Sequence, residues 1–318
     1  MRIVFFGSGA FGLPLLSALC SEGHDLCAVV TQPDRPGGRG RRAMPTPIKQ
    51  EALQRNLPIV QPTDVNAWDS VARLLGLEPE LGVVVAFGQK IGRDLLTRMN
   101  RRLINVHASL LPKYRGAAPI NWAIINGERE TGITVFTLAE QMDAGAILAQ
   151  QALPIRSGQT AADLHELLAE LAPEVTLPVI KMFAHGQQPA GRQQDHAHAT
   201  GAPKLEKSDG WIRFDQPADV VANRICGLWP WPGVTCRFSS KDRQRDERVT
   251  LAQALPDTNG ADPVAEPGTV LEDLAIACLP GRMRLLQLRP AGGRLMPYQP
   301  DFVNGRRVAP GDQFVPVE

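Results

Sequence analysis

Leu103-Ile104-Asn105-Val106-His107-Ala108-Ser109-Leu110-Leu111-Pro112 reads as a short apolar strand that runs out into a turn. Side chains two residues apart on a strand share a face, so the Asn105 amide and the His107 imidazole are predicted to leave the strand together at its carboxyl end. In an open α/β sheet that edge is where ligands bind. Alone, Asn-x-His is more often a satisfied structural Asn beside a core His; the pair gains meaning from its surroundings.

Outward from this stretch, βα alternation fills the first two thirds of the chain. Ile3 to Phe6, Leu26 to Thr31, Leu81 to Ala86, Ile133 to Leu138 and Ile147 to Leu153 read as further strands. Phe11 to Ser21 and Gly92 to Met99 read as helices, and residues 160–184 as helical segments interrupted by Pro173 and Pro178. This order predicts an α/β fold with a doubly wound, mostly parallel, Rossmann-like sheet. Residues 186–203 are rich in Gln, Gly, Ala and His, a linker composition, and their His196-x-His198 pair has no third metal ligand nearby. Short apolar pieces split by turns follow, from 210–214 to 284–288, at a spacing that suits a small β-barrel. The expected organisation is a first domain over 1–188, a linker over 189–203 and a second domain over 204–318.

A chain of 318 residues, 43% of them hydrophobic, is long enough for about two domains with sizeable cores. No apolar run reaches membrane-spanning length, and Met1-Arg2-Ile3-Val4-Phe5-Phe6 leads straight into a strand, unlike a signal peptide. A cytoplasmic protein with no membrane association is expected. The cysteines (Cys20, Cys27, Cys226, Cys236, Cys278) are scattered and lack a Cys-x-x-Cys pair, which argues against a disulfide framework and against a metal site.

Lys plus Arg total 34 against 33 for Asp plus Glu, so composition by itself does not point to nucleic acid. Charge is local instead. Arg35, Arg39, Arg41 and Arg42 crowd into one Gly- and Pro-rich loop with only Asp34 beside them, an arrangement able to meet phosphate. Two further segments carry chemistry. Gln141-Met142-Asp143-Ala144-Gly145-Ala146 enters an apolar run, and Asp143 taken alone is a turn former. Gly7-x-Gly9-x-x-Gly12 after the first strand, with Asp34 downstream, is a dinucleotide fingerprint that on its own favours an NAD-dependent oxidoreductase.

Taken together, Asn105, His107 and Asp143 match the active-site signature of the folate-dependent formyltransferases. From Met1 to about Phe238 the chain resembles the members of that family that act on methionyl-tRNA. The likeness is carried by Gly7-Ser8-Gly9-Ala10-Phe11-Gly12, the loop Gln32 to Arg41, Pro112-Lys113-Tyr114-Arg115-Gly116-Ala117-Ala118-Pro119-Ile120, Glu130-Thr131-Gly132-Ile133-Thr134 and Trp229-Pro230-Trp231-Pro232. The resemblance implies formyl transfer from 10-formyltetrahydrofolate to the α-amine of initiator methionyl-tRNA, without NAD, and an OB-like fold for the second domain. A monomer is expected.

By the same resemblance Asn105, His107 and Asp143 are catalytic. Asn105 and, as imidazolium, His107 would donate to a tetrahedral oxyanion while Asp143 orients His107. Ser109, Leu110, Leu111 and Pro112, with Phe87, Gly88 and Gln89, correspond to folate contacts; Arg35, Arg39, Arg41 and Arg42 correspond to tRNA contacts. Ala146 departs from the family pattern, since many relatives carry an acidic residue there. The alternatives are a formyltransferase acting on a sugar-nucleotide amine and a non-catalytic RNA-binding protein.

Overall fold

Ile3-Val4-Phe5-Phe6 are all buried, so the first strand is covered on both faces, as a central strand of a parallel sheet must be. The computed structural model describes residues 1–37, 42–99, 102–242, 244–257 and 263–317. β1 (Arg2–Gly7), β2 (Asp25–Val30), β3 (Ile59–Val60), β4 (Leu81–Val85), β5 (Leu103–His107), β6 (Glu130–Thr137) and β7 (Ile147–Pro154) form one sheet in the order β7-β6-β5-β4-β1-β2-β3. Pairing is parallel from β3 through β5 and antiparallel between β5 and β6. The order reverses direction between β1 and β4, and helices α1 (Leu13–Ser21), α2 (Pro47–Gln54), α3 (Trp68–Leu75) and α4 (Arg93–Arg98) lie among these strands in sequence. Thr46 starts α2 by accepting the Lys49 amide at 3.1 Å, with Pro47 at the first helical position.

The glycine turn after β1 serves packing. The amides of Ser8 and Gly9 both donate to the Ala86 carbonyl, at 3.3 and 3.4 Å. A Cβ on Gly12 would stand 3.3 Å from both Ile48 and Phe5, so the turn lets α1 approach the sheet closely. Asp34 is held by Lys49 at 2.7 Å and by Gln61 at 2.8 Å.

Two compact units interleave in sequence: Met1–Gly116, Gly132–Leu153 and His165–Gly201 make the first, and Ala117–Thr131, Pro154–Leu164 and Ala202–Glu318 the second. α5 (Pro119–Ile125) therefore belongs to the second unit although it lies in sequence between β5 and β6. α6 (Ala161–Ala184) runs unbroken through Pro173 and Pro178, where interruptions are predicted. Leu168, Ala172, Val175 and Val179 are buried at helical spacing, and that apolar stripe carries the helix across both prolines.

The second unit holds α7 (Ala218–Leu228) and an antiparallel sheet of β8 (Val234–Ser239), β9 (Asp246–Asp257), β10 (Ile276–Ala277), β11 (Arg282–Pro290) and β12 (Gln313–Pro316), ordered β10-β11-β9-β8-β12. Along β8, Val234, Cys236 and Phe238 point inward and alternate with Thr235 and Arg237. Residues 268–270 join the two sheet edges. Gly268 donates to Ala277 at 2.8 Å and receives from Phe314 at 2.8 Å, while Val270 donates to Asp312 at 2.7 Å. With both edges paired the sheet curls into an OB-like barrel.

α7 is absent from the strand-only reading of this region, and 210–214 is no strand: Gly210 closes a 3₁₀ turn (Lys207–Gly210) and 211–214 follow as irregular chain. Val221, Ala222, Ile225 and Leu228 of α7 pack into the core with Val234, Phe238, Leu251 and Leu285. α5 seats against α7: Asn121 donates to the Gly227 carbonyl at 2.8 Å, and a Cβ on Gly227 would come within 2.6 Å of Ile125. Cys236 and Cys278 are buried free thiols, both pushed up to about 12 by burial. Among the described residues no helix is long and apolar enough to cross a membrane.

Candidate active site

The carboxyl ends of β4 and β5 lie beside the point where the strand order reverses, the position at which open α/β sheets bind ligands. Asn105 is half-buried on β5, opposite Phe136 of β6, and its side-chain amide makes no hydrogen bond among the described residues. His107, two residues on, is buried edge-on to Phe136 with ring centroids 6.4 Å apart. Its Nε2 lies 2.8 Å from the Tyr114 carbonyl oxygen. A carbonyl only accepts, so Nε2 carries the hydrogen. The other ring nitrogen, Nδ1, stands 3.9 Å from Oδ2 of Asp143. The resemblance implies that Asp143 orients His107; the ring's own hydrogen bond runs from Nε2 to the carbonyl of Tyr114, whose backbone is left-handed at φ 61°.

Asp143 is itself left-handed, at φ 51°, a conformation that Asp tolerates better than most residues. Its side chain is only 11% exposed, and Oδ2 accepts the Gly116 amide at 2.8 Å. Gly145 is required by space, since a Cβ there would fall 1.6 Å from the Thr137 carbonyl oxygen. The loop is fastened by Gln194, which is 5% exposed. Its Nε2 donates to the carbonyls of Asp143 and Gly145, both at 2.8 Å, and its Oε1 accepts Nε and Nη2 of Arg115 at 3.2 and 2.6 Å.

Gln194 comes from the stretch whose composition reads as linker. That stretch is tied to the first unit by a β-bridge between Ile147 and Arg192 and by Thr200, which accepts the amides of Tyr114 and Arg115. Sequence carries no signal for Gln194 beyond its polarity. Ala146 lies against Gly191, where a Cβ would approach it to 2.7 Å.

The expected folate contacts divide into two groups. Ser109 is fully buried and donates to the Lys113 carbonyl at 2.7 Å; Leu111 packs with Phe136 and Ile147; Phe87 lies edge-on to Phe6 at 5.6 Å. Gln89 accepts the Val65 amide at 2.8 Å and donates to Pro62 at 3.1 Å. Those four side chains are committed to the fold. Leu110 and Pro112, half-buried, and Gly88, exposed at φ 84°, keep free surface.

In the arginine loop, Arg35–Gly37 pairs with Arg42–Met44 as a two-stranded ribbon, where sequence predicts little intrinsic structure. Arg35 donates to Gln32 at 3.1 Å. Arg39 and Arg41 lie outside the described residues, as does the side chain of Arg42. Among the described residues, no group of three or more His, Cys, Asp or Glu is placed to hold a metal ion.

An α/β sheet that presents an unpaired amide donor, an imidazole and a carboxylate at one edge defines an enzyme site suited to holding an oxyanion and moving a proton. Residues 1–180 match the formyl transferase family and residues 204–307 match the formyl transferase C-terminal domain. The chain is 40% identical over 313 residues to the methionyl-tRNA formyltransferase of Moorella thermoacetica, covering 98% of both chains. It is 40% identical to that of Heliobacterium modesticaldum, covering 99% of this chain and 100% of the relative. Among solved structures it is similar to WlaRD, a sugar 3N-formyl transferase crystallised in the presence of dTDP and 5-N-formyl-THF. That likeness has a TM-score of 0.65 at 17% identity over 89% of this chain and 96% of the other, and it speaks to fold alone. The chain belongs to the formyl transferase family, in its methionyl-tRNA formyltransferase branch.

Proposed function

We propose that this protein transfers the formyl group of 10-formyltetrahydrofolate to the α-amine of methionine on initiator tRNA, with Asn105, His107 and Asp143 as the catalytic residues. The observation that carries the reading is the approach of His107 Nδ1 to Asp143 at 3.9 Å, on the strand face that also presents the unpaired Asn105 amide. The neutral amine attacks the formyl carbon; a C–N bond forms and the carbonyl π pair moves to oxygen. The amine nitrogen loses a proton, the folate nitrogen gains one, and the old C–N bond breaks.

Asn105 donates to the developing oxyanion. His107 commits Nε2 to Tyr114, which leaves Nδ1 as the nitrogen that exchanges a proton with the reacting atoms, beside the negative charge of Asp143. At 3.9 Å the pair is longer than a hydrogen bond, a spacing of the kind that tightens when substrate excludes water. Folate is received at the surface of Leu110, Pro112 and Gly88, which Phe87, Gln89, Ser109 and Leu111 support from within. Arg35, Arg39, Arg41 and Arg42 meet tRNA phosphates.

On this reading residues 1–188 carry the catalytic residues and 204–318 further tRNA contact, and the protein acts as a cytoplasmic monomer. A single assay tests the proposal. Labelled 10-formyltetrahydrofolate is offered with charged initiator tRNA, with a sugar-nucleotide amine and with no acceptor. Label moving only to the aminoacyl-tRNA supports the reading; label moving to the sugar amine, or nowhere, overturns it.

A further inference from the structure

We propose that Gln194 is a positioning residue for Asp143, which makes the segment around it a working part of the active site. The inference rests on the formyl-transfer reading above and deepens it. Asp143 sits in a left-handed conformation, which Asp tolerates but which leaves its loop dependent on outside contacts for its place. Its peptide carbonyl and that of Gly145 both aim at one buried nitrogen, Nε2 of Gln194, whose two hydrogens are thereby used in full. The other end of the same amide, Oε1, holds the Arg115 guanidinium through two nitrogens.

Arg115 lies between the two residues that hold the catalytic groups. Tyr114 before it supplies the carbonyl for His107, and Gly116 after it supplies the amide for Asp143. One buried side chain therefore ties the backbone of Asp143 to the short segment that also fixes both catalytic rims. Only an amide suits this place. Glu would accept from Arg115 but cannot donate to two carbonyls, and Lys or Arg would donate but cannot accept. Without Gln194 the two carbonyls lose their partner in a buried setting and the loop relaxes to recover one.

The consequence is measurable with the full-length chain, labelled 10-formyltetrahydrofolate and charged initiator tRNA. Gln194→Met keeps the volume and removes every polar contact; Gln194→Glu keeps only the contact to Arg115. Both are expected to lower kcat on the order of a hundredfold, as a misplacement of about an ångström does, with KM for either substrate near that of the parent. The decisive comparison is made in an Asp143→Ala background. There the same substitutions are expected to cost almost nothing further, because the residue they position is gone.

Parent-level kcat in Gln194→Met overturns the proposal, as does a change confined to KM or an equal loss in the Asp143→Ala background. If Gln194→Met does not fold, judged by its melting transition, Gln194→Glu and Arg115→Met carry the same comparison. An inactive parent chain instead overturns the functional reading itself, and this inference with it.

Discussion

Nε2 of His107 and the carbonyl oxygen of Tyr114 lie 2.8 Å apart, so the imidazole is pinned through one nitrogen and presents the other to Asp143. The ring's direction is set by main chain, and no side-chain substitution at 114 removes the acceptor. Loss of His107 or of Asn105 therefore removes a group from a site whose frame stays in place. Asn105→Ala and His107→Ala are each expected to lower kcat by about a hundred- to a thousandfold, about 3 to 4 kcal/mol, while melting as cooperatively as the parent. Near-parent turnover in either variant would remove that residue from the mechanism.

Asp143 should separate charge from conformation. Asn tolerates the left-handed region, so Asp143→Asn is expected to keep the parent melting temperature and lose turnover. Asp143→Ala loses turnover and also bears a backbone cost of about 1 to 2 kcal/mol. Thermal melts of the two variants side by side check this; equal melting temperatures would contradict it.

Gly145→Ala places a methyl group 1.6 Å from the Thr137 carbonyl oxygen, so the loop must move. A destabilisation of about 1 to 3 kcal/mol is expected, together with a fall in kcat as the Asp143 carboxylate is carried off its position. Denaturant unfolding and steady-state kinetics read the two effects separately. A variant that is destabilised yet fully active would show that this loop does not set the carboxylate.

Replacing Arg35, Arg41 and Arg42 by Ala is expected to weaken use of charged tRNA and to flatten the dependence of its KM on salt. Turnover with a minimal methionyl-amine acceptor should be unchanged. An equal loss with both acceptors would take the loop out of tRNA recognition.

His165 lies edge-on to Phe11 at 5.3 Å, and burial holds its pKa below the ordinary imidazole value, an effect that the neighbouring charge of Glu166 partly offsets. In the unfolded chain this His takes up a proton as pH falls through about 6.5, whereas in the folded chain it resists until lower pH. The unfolded state thus binds more protons in that window, and stability declines as pH falls below about 6.5. His24 shifts in the same direction. His165→Gln should remove part of this slope when melting temperature is followed from about pH 7.5 to about pH 5. An unchanged slope would assign the acid sensitivity elsewhere.

That Asn105 and His107 share a strand was readable because a strand has a period of two, and a period is a local property; their assignment to catalysis came from the family resemblance. Asp143 was readable as a turn residue, and the resemblance assigned its role. Gln194 was not readable. Its burial is produced by Arg115 and the 143–145 loop, about fifty or more residues away in sequence, while its sequence neighbours Arg192, Gln193, Asp195 and His196 are polar. α7 was passed over for a local reason: Val220, Val221, Ile225 and Gly227 are weak helix formers, and it is the core around Leu228 and Phe238 that stabilises the helix. Pro173 and Pro178 misled in the opposite direction, since burial of one face outweighed two missing amide donors.

Because α5 is encoded within the first two thirds of the chain yet seats against α7, severing the polypeptide near residue 188 would not release a self-contained catalytic half. The amino-terminal fragment would keep Trp122 and Ile125 with nothing to cover them, and the carboxyl-terminal fragment would carry an open slot at Gly227. Each piece would be sticky by itself, and mixing the two should restore solubility to both.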